Sequence, residues 1–172
     1  MEEQVVLVNE DGNETGLMGK IEAHEKGVLH KAFSVIILNP GGQMLLQQRS
    51  AEKYHWPLIW SNACCSHPRS GEKTIDAANR RMQEELGIDA DLQFAFTFQY
   101  KAEDDQTGLI EHELDEVFIG TYEGEIPFNH SEVADVKWVD IDELERDMSE
   151  NEHNYSVWFV IIFKELLRRN YV

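Results

Sequence analysis

Residues 62–88 read NACCSHPRSGEKTIDAANRRMQEELGI, and this stretch decides the fold class. Its second half, residues 74–86, has the periodicity of an amphipathic helix. One face of that helix carries the apolar side chains of Ile75, Ala78, Met82 and Leu86. Thr74 is a predicted N-cap, and Gly87 is a predicted C-terminal stop. The first half continues a predicted strand, so the stretch indicates a strand followed by a helix.

The rest of the chain adds strands and one more helix. The segments at 32–39 and 43–48 flank PGG and predict a hairpin. Further strands are predicted at 92–100, 114–122 and 133–140, and a helix at about 155–169 with Arg168 and Arg169 near its C-terminal end. Repeats, low-complexity tracts and linkers are absent from the sequence. It therefore predicts an α/β protein with a single domain over residues 1–172.

The net charge is −18 and the sequence pI is near 4.6. Such a chain lacks the clustered Lys and Arg of a nucleic-acid surface, and it is unsuited to anionic lipid. A small anionic substrate remains compatible, since the field inside a pocket can oppose the global charge. We therefore expect no nucleic acid and no membrane among the partners.

The first residues, MEEQVVLVNE, are acidic and do not resemble a signal peptide. The longest apolar run, VWFVIIF at 157–163, is too short to span a bilayer. The two cysteines are adjacent, so they cannot form a disulfide framework. These features predict a reduced, cytoplasmic protein.

The cysteines end a predicted strand, LIWSNACC at 58–65. Because neighbours on a strand face opposite ways, Cys64 and Cys65 should have different surroundings. Continued alternation would put Cys65 on one face with Ser61, Ala63 and His67, and Cys64 on the other with Trp60 and Asn62. One cysteine would then pack in the core while the other lines a site with His67. The alternative is that both are small buried hydrophobes.

Glu111 and Glu113 are spaced to point to one side of a strand, where their charges would repel unless a cation lies between them. Taken alone, this pair is more typical of a solvated edge strand in so acidic a protein. His24 and His30 lie near the start, and with His67 the chain offers three imidazoles and two carboxylates. That donor set suits Mg²⁺, Mn²⁺ or Zn²⁺.

Residues 66–88 resemble the Nudix box, G-x5-E-x7-R-E-U-x-E-E-x-G-U, in which U is a bulky aliphatic residue. The matching positions are Glu72, Arg80, Met82, Glu84, Glu85, Gly87 and Ile88. Two positions depart, since Ser66 replaces the first glycine and Arg81 replaces the glutamate after the arginine. Alternatively, Arg80–Glu84 and Arg81–Glu85 are exposed i,i+4 ion pairs, each worth roughly 0.2–0.5 kcal/mol.

A set of separated motifs then resembles the type I isopentenyl-diphosphate isomerases, from about Lys20 to the last helix. The motifs are GKIEAHEKGVLHKAFS, QQRSAEKYHWPLIWSNACCSHP, RRMQEELGI, FQYKA, EHELDEVF and VWFVI. The resemblance implies a Nudix-type α/β/α sandwich with a mixed sheet. It also implies interconversion of isopentenyl and dimethylallyl diphosphate for isoprenoid synthesis.

The resemblance also implies roles for individual residues. A first divalent ion, Mn²⁺, Mg²⁺ or Zn²⁺, would be bound by His24, His30, His67, Glu111 and Glu113. Cys65 and Glu113 would be the acid–base pair, Tyr100 would hydrogen-bond near Glu113, and Trp158 would lie over the reacting carbons. The diphosphate would be held by Lys20, Arg49, Lys53, Arg81 and Ser66, with Glu85 binding a bridging Mg²⁺. His112 should point away from the site.

Two other functions remain open from the sequence. A Nudix pyrophosphohydrolase is favoured by Glu72, Glu84 and Glu85, whereas Arg81 and the Cys65–His67 pair disfavour it. A non-catalytic binding module would account for the altered box, but it leaves the histidines and glutamates unexplained. The implied partner is a small prenyl diphosphate, with the protein a monomer or a weak homodimer.

Overall fold

The computed structural model describes residues 3–172, which form nine strands and four α-helices. The strands are β1 (Gln4–Val8), β2 (Glu14–Gly19), β3 (His30–Leu38), β4 (Met44–Arg49), β5 (Trp60–Asn62), β6 (Cys64–Ser66), β7 (Gln93–Glu103), β8 (Ile110–Thr121) and β9 (Val133–Val139). The helices are α1 (Lys20–Lys26), α2 (Thr74–Leu86), α3 (Ile141–Glu150) and α4 (Val157–Arg168). The elements β1, β2, α1 and α3 are not predicted from the sequence pattern.

Strand β3 organises a mixed sheet. It pairs antiparallel with β1, β4 and β6, and parallel with β8. Strand β8 pairs antiparallel with β7 on its other side, while β4 pairs antiparallel with β5 and β9. The near-continuous apolar run of β3 suits this position, since both of its faces are buried.

Helices cover both faces of the sheet. On one face, Ala78, Met82 and Leu86 of α2 pack with Val35 and Ile37 of β3. On the other face, α3 and α4 supply Leu144, Phe159 and Phe163 to a second apolar cluster. The α/β/α sandwich with a mixed sheet is therefore confirmed.

The local turn and helix predictions agree with the structure except at one cap. The hairpin between β3 and β4 closes at the predicted PGG turn, and α2 ends at Gly87, which has a left-handed φ of 67°. The N-cap of α2 is Lys73 rather than Thr74, so that prediction is wrong. The Thr74 hydroxyl instead donates a hydrogen bond to Glu116 on β8, at 3.0 Å.

The predicted strand over residues 58–65 is interrupted at Ala63. Strand β5 pairs with β4, and β6 pairs with β3, so the chain changes partners at this residue. Ala63 and Cys64 both enter the α2-side cluster, and Cys65 packs against the α4-side cluster. The predicted sharing of a face by Ala63 and Cys65 is therefore wrong, although the two cysteines do differ in their surroundings.

Strand β8 is not a solvated edge. It lies between β3 and β7, and both Glu111 and Glu113 are buried. Strand register puts His30 of β3 and Tyr100 of β7 on either side of Glu113. The edge-strand interpretation of the glutamate pair is thus wrong, and the sheet itself gathers an imidazole, a phenol and a carboxylate. Across residues 3–172, none of the helices combines the length and apolar character needed to cross a bilayer.

Candidate active site

A cavity of about 270 Å³ opens where β6, β7, β8 and the β4–β5 loop meet. The predicted site residues that line it are Lys20, Arg49, Lys53, Cys65, Ser66, His67, Arg81, Glu85, Tyr100, Glu111, Glu113 and Trp158. The two remaining predicted residues, His24 and His30, are fully buried and lie beside Glu111 and Glu113. The fold therefore gathers the whole predicted set, although the sequence order scatters it from α1 to α4.

Five side chains at one end of the cavity form a cluster that could hold a metal ion. They are His24, His30, His67, Glu111 and Glu113, and one ligand atom from each lies within 4.8 Å of all the others. The Nε2 atom of His24 is 3.1 Å from Glu111 Oε2, and Nε2 of His67 is 2.8 Å from Glu113 Oε1. We refer to these five residues as the five-ligand cluster.

The polar atoms of the five-ligand cluster fit a divalent ion. His24 Nε2, His30 Nε2 and Glu111 Oε2 are buried, and none has a hydrogen-bond partner within residues 3–172. Leaving such atoms unpaired is costly, so a ligand for them is expected. Imidazole nitrogens together with carboxylate oxygens suit Mn²⁺, Zn²⁺ or Mg²⁺.

The protonation states of Glu111 and His67 also suit a metal ion. Burial opposes ionisation of Glu111, but the neighbouring imidazoles of His24 and His55 outweigh it and hold the pKa of that carboxyl well below its usual range. Burial lowers the pKa of His67 to about 4. A neutral imidazole and an ionised carboxylate are the forms that bind metal ions.

The two cysteines differ as predicted in their access to the cavity. Cys64 is fully buried among apolar side chains, and Cys65 lines the cavity. Burial raises the pKa of the Cys65 thiol to about 12. Only Cys65 can therefore meet a bound molecule, and it does so as a neutral thiol.

Tyr100 and Trp158 border Glu113 and the cavity wall. The Tyr100 hydroxyl donates a hydrogen bond to Glu113 Oε2 at 2.6 Å. Trp158 is nearly buried, and the guanidinium of Arg49 lies 5.3 Å from its ring centroid. His112 points away, with its Nδ1 atom bonded to the Gly27 carbonyl oxygen at 2.9 Å, as predicted.

Basic side chains line the part of the cavity formed by α2 and the β4–β5 loop. Arg81 Nη2 lies 2.5 Å from Glu85 Oε1 and 3.3 Å from Glu132 Oε2. Lys53 Nζ lies 2.6 Å from the same oxygen of Glu132. The Arg81–Glu85 pair is largely buried, so the interpretation of an exposed ion pair is wrong for it. Gln47 also donates a hydrogen bond to Glu85, at 2.9 Å.

Five cavity residues are missed by sequence reasoning, namely Glu3, Glu52, Tyr54, His55 and Glu132. Tyr54 and His55 directly follow Lys53 within the motif QQRSAEKYHWPLIWSNACCSHP. This position beside a predicted site residue was the signal that could have found them. Glu132 lies in the loop before β9, and no sequence motif around it indicates a functional site. Its role depends on contacts that only folding creates.

Comparison with known proteins agrees with these features. The NUDIX domain family matches residues 28–159. The chain is 46% identical to "Isopentenyl-diphosphate Delta-isomerase 2" of Aromatoleum aromaticum, over 92% of this chain and 83% of that protein. It is 42% identical to "Isopentenyl-diphosphate Delta-isomerase" of Serratia proteamaculans, over 96% and 92% respectively.

Solved structures show the same fold. The crystal structure of DR0079 from Deinococcus radiodurans matches with a TM-score of 0.71 at 19% identity, and the match covers 86% of this chain and 90% of that one. At this identity the likeness concerns the fold alone. The match to the domain family and the extent of the sequence matches establish that the chain belongs to the NUDIX superfamily and, within it, to the isopentenyl-diphosphate Delta-isomerase family.

Proposed function

We propose that this protein interconverts isopentenyl diphosphate and dimethylallyl diphosphate. The observation that carries the proposal is one cavity lined by a thiol, a carboxylate of the five-ligand cluster, an indole and several cations. These groups match the parts of the substrate, namely a carbon skeleton that must gain and lose protons and a diphosphate that must be held. The curated relatives described above bear the name of this activity.

Cys65 and Glu113 are the proposed acid–base pair. Isomerisation adds a proton to C4 of isopentenyl diphosphate and removes a different proton from C2, so it needs two groups that act at different carbons. The C=C electron pair forms the new C4–H bond, and the electrons of the broken C2–H bond form the new double bond. The two groups exchange roles when the reaction runs in reverse. Tyr100 orients Glu113 through its 2.6 Å hydrogen bond.

Trp158 is the proposed shield for the tertiary carbocation formed by protonation. Water would capture such a cation, so the site must exclude water and offer no nucleophile. An indole face attracts positive charge through its quadrupole, typically by about 0.5–2 kcal/mol. Trp158 is only 3% exposed and lines the cavity, which supports this role.

The five-ligand cluster is the proposed site for Mn²⁺, Zn²⁺ or Mg²⁺. When bound there, a divalent ion supplies positive charge that makes the Glu113 carboxyl a stronger acid. His24, His30, His67 and Glu111 complete the ligand set, and their burial keeps the centre dry.

Lys20, Arg49, Lys53 and Arg81, with Ser66, are the proposed diphosphate-binding groups, and Glu85 is the proposed ligand for a bridging Mg²⁺. All of them line the cavity, so four cationic side chains can reach an anion bound there, in a chain of net charge −18. Arginine suits this task because its guanidinium binds phosphate oxygens with two parallel hydrogen bonds. All the proposed groups come from one chain, so a monomer or a weak homodimer is sufficient.

Reaction in D₂O tests the proposal against hydrolysis. Isopentenyl diphosphate incubated with the protein and Mg²⁺ should give dimethylallyl diphosphate with deuterium in a methyl group and the diphosphate intact. NMR detects the label, and a phosphate assay detects hydrolysis. Release of phosphate or pyrophosphate without deuterium on carbon would overturn the isomerase proposal and favour a pyrophosphohydrolase.

A further inference from the structure

The loop between β4 and β5, residues 50–59, reaches two members of the five-ligand cluster through consecutive side chains. The hydroxyl of Tyr54 lies 2.8 Å from Nδ1 of His24. The Nε2 atom of His55 is hydrogen-bonded to Oε1 of Glu111. The two loop rings stack on each other, with centroids 4.3 Å apart and planes within 6°. The loop therefore contacts the cluster as one packed unit.

Each of these hydrogen bonds involves the outer polar atom of a cluster side chain, not the atom that would bind the metal. Tyr54 engages Nδ1 of His24, and Nε2 of the same ring remains without a partner among residues 3–172. His55 engages Oε1 of Glu111, and Oε2 of that carboxylate is likewise unpartnered within this range. A hydrogen bond to the outer atom fixes the orientation of a ligand and leaves its inner atom for the metal.

The same loop carries a proposed diphosphate-binding residue. Lys53 precedes Tyr54 directly and lines the cavity. Arg49, at the end of β4, donates hydrogen bonds to the carbonyl oxygens of Trp56 at 3.0 Å and His55 at 3.1 Å. The proposed diphosphate-binding residues Arg49 and Lys53 are thus only a few backbone residues away from the residues that contact the metal ligands.

The loop conformation also depends on its contacts. Trp56 and Leu58 are non-glycine residues with positive φ values of 43° and 60°, a region that L-residues seldom occupy. Such conformations persist only where surrounding contacts hold them. The hydrogen bonds to His24, Glu111 and Arg49 are contacts of this kind.

We propose that Tyr54 and His55 are positioning residues that couple metal binding at the five-ligand cluster to diphosphate binding by the β4–β5 loop. A metal ion fixes His24 and Glu111, these ligands hold Tyr54 and His55, and the loop then presents Lys53 to the diphosphate. By linkage, diphosphate binding must strengthen metal binding by the same factor. This inference rests on the proposed function only in assigning a metal and a diphosphate to one cavity.

Metal affinity gives the first test. Purified protein is stripped with a chelator and titrated with MnCl₂ by calorimetry. Tyr54→Phe removes only the hydroxyl, and His55→Ala removes the donor to Glu111. Each should weaken Mn²⁺ binding by about 10-fold or more, as is typical for lost outer partners of metal ligands. His55→Gln retains an N–H donor and should recover most of the affinity.

Two matched controls separate positioning from general effects. Tyr122→Phe removes a surface hydroxyl that bonds the Glu125 carbonyl oxygen, and His130→Gln replaces an exposed histidine. Both should bind Mn²⁺ like the unmodified protein. Circular dichroism of the metal-free Tyr54→Phe and His55→Gln variants should show the fold of the metal-free parent, and the affinity recovered in His55→Gln is a result that a purely structural role would not predict.

Coupling gives the second test. The saturated analogue isopentyl diphosphate, which has no double bond to protonate, is titrated into metal-free protein and into protein loaded with one equivalent of Mn²⁺. Loading should tighten analogue binding in the parent, and Tyr54→Phe and His55→Ala should bring the affinity ratio close to one. Unchanged Mn²⁺ affinity in these variants, or a ratio equal to that of the parent, would overturn the inference. A protein that shows the coupling but no deuterium incorporation would refute the isomerase proposal alone.

Discussion

The carboxylates of helix α2 and those of strand β8 differ in the partners that the fold gives them. On the helix, Arg80 donates two hydrogen bonds to Glu72 in the loop just before α2, at 2.8 and 2.9 Å, and Arg81 Nη1 lies 2.7 Å from Glu84. On the strand, Glu111 and Glu113 contact imidazoles and a tyrosine hydroxyl.

The partners determine what each region can do. A guanidinium stays charged at every accessible pH, so Arg80 and Arg81 neutralise Glu72 and Glu84 permanently. An imidazole can be neutral, and it then acts as a ligand beside the carboxylate. The comparison supports the proposal that this Nudix-type helix serves structure and anion binding, whereas the carboxylates of the five-ligand cluster lie on strand β8.

Removal of metal should have the largest effect on this comparison. A strong chelator should abolish turnover and lower the melting temperature, because the buried carboxylates of β8 then repel each other. An ion present at 100 times its Kd stabilises a fold by about 2.7 kcal/mol, which calorimetry resolves. Glu111→Gln should reduce the metal content, and the matched variant Glu72→Gln, in the loop before α2, should not. Full activity in the presence of chelator, with no metal detected by elemental analysis, would contradict a metal site at the five-ligand cluster.

The next largest effect is expected from replacing Cys65, and it should distinguish this residue from Cys64. Cys65→Ala should lower kcat by about 100- to 10,000-fold, the usual range for loss of an acid–base group, while circular dichroism shows a retained fold. Cys64→Ala should act chiefly through packing beneath α2, by about 1 kcal/mol in the free energy of unfolding. Equal losses of kcat, or a greater loss at Cys64, would show that the faces of β6 are assigned wrongly.

Arg81→Glu tests whether the helix is an anion clamp. It should weaken substrate binding by about 10- to 100-fold, since a hydrogen bond to a charged group contributes about 1.5–3 kcal/mol. It should not create efficient hydrolysis, because Cys65 and Trp158 still line the cavity. Arg80→Glu is the matched control, and it should change the apparent substrate affinity much less. Rapid phosphate release by Arg81→Glu would mean that the helix alone determines the reaction.

The agreement between sequence and structure follows the range of the interactions. Helix α2 occupies the predicted residues, and Gly87 ends it, because periodicity and a left-handed glycine are local properties. The break at Ala63 was not predictable, since it arises when the chain exchanges β4 for β3 as its partner. The Thr74 hydroxyl likewise does not cap α2 as expected, because it donates a hydrogen bond to Glu116, which is distant in sequence.

The candidate site shows the same division. The spacing of Glu111 and Glu113 correctly put them on one face of a strand, but whether that strand was an edge depended on sheet order. Most site residues were predicted from the resemblance to a family. Such a resemblance indicates which distant residues meet in the fold, and residue spacing alone cannot. The contacts of His55 with Glu111 and of Glu132 with Lys53 were missed because each joins residues that are far apart in the chain.

The smallest predicted effect concerns the Glu72–Arg80 pair, which should contribute to stability alone. Hydrogen bonds from Arg80 lower the pKa of Glu72, so the folded protein releases this proton more readily than the unfolded chain. The pair is therefore stabilising above the ordinary glutamate pKa of about 4.3, and its contribution is lost as the pH falls through the lowered value.

Glu72→Gln should thus reduce the free energy of unfolding by about 0.5–1 kcal/mol at neutral pH, as expected for a partly exposed ion pair. Urea unfolding of both proteins should show this difference at neutral pH and its disappearance in acid, where the parent carboxyl is itself protonated. High salt at neutral pH should shrink the difference, because the pair is partly exposed to solvent. A difference that persists unchanged in acid would mean that Glu72 stabilises the loop before α2 through its hydrogen-bond geometry alone. The Glu72 carboxylate would then differ from those of β8 in packing rather than in charge.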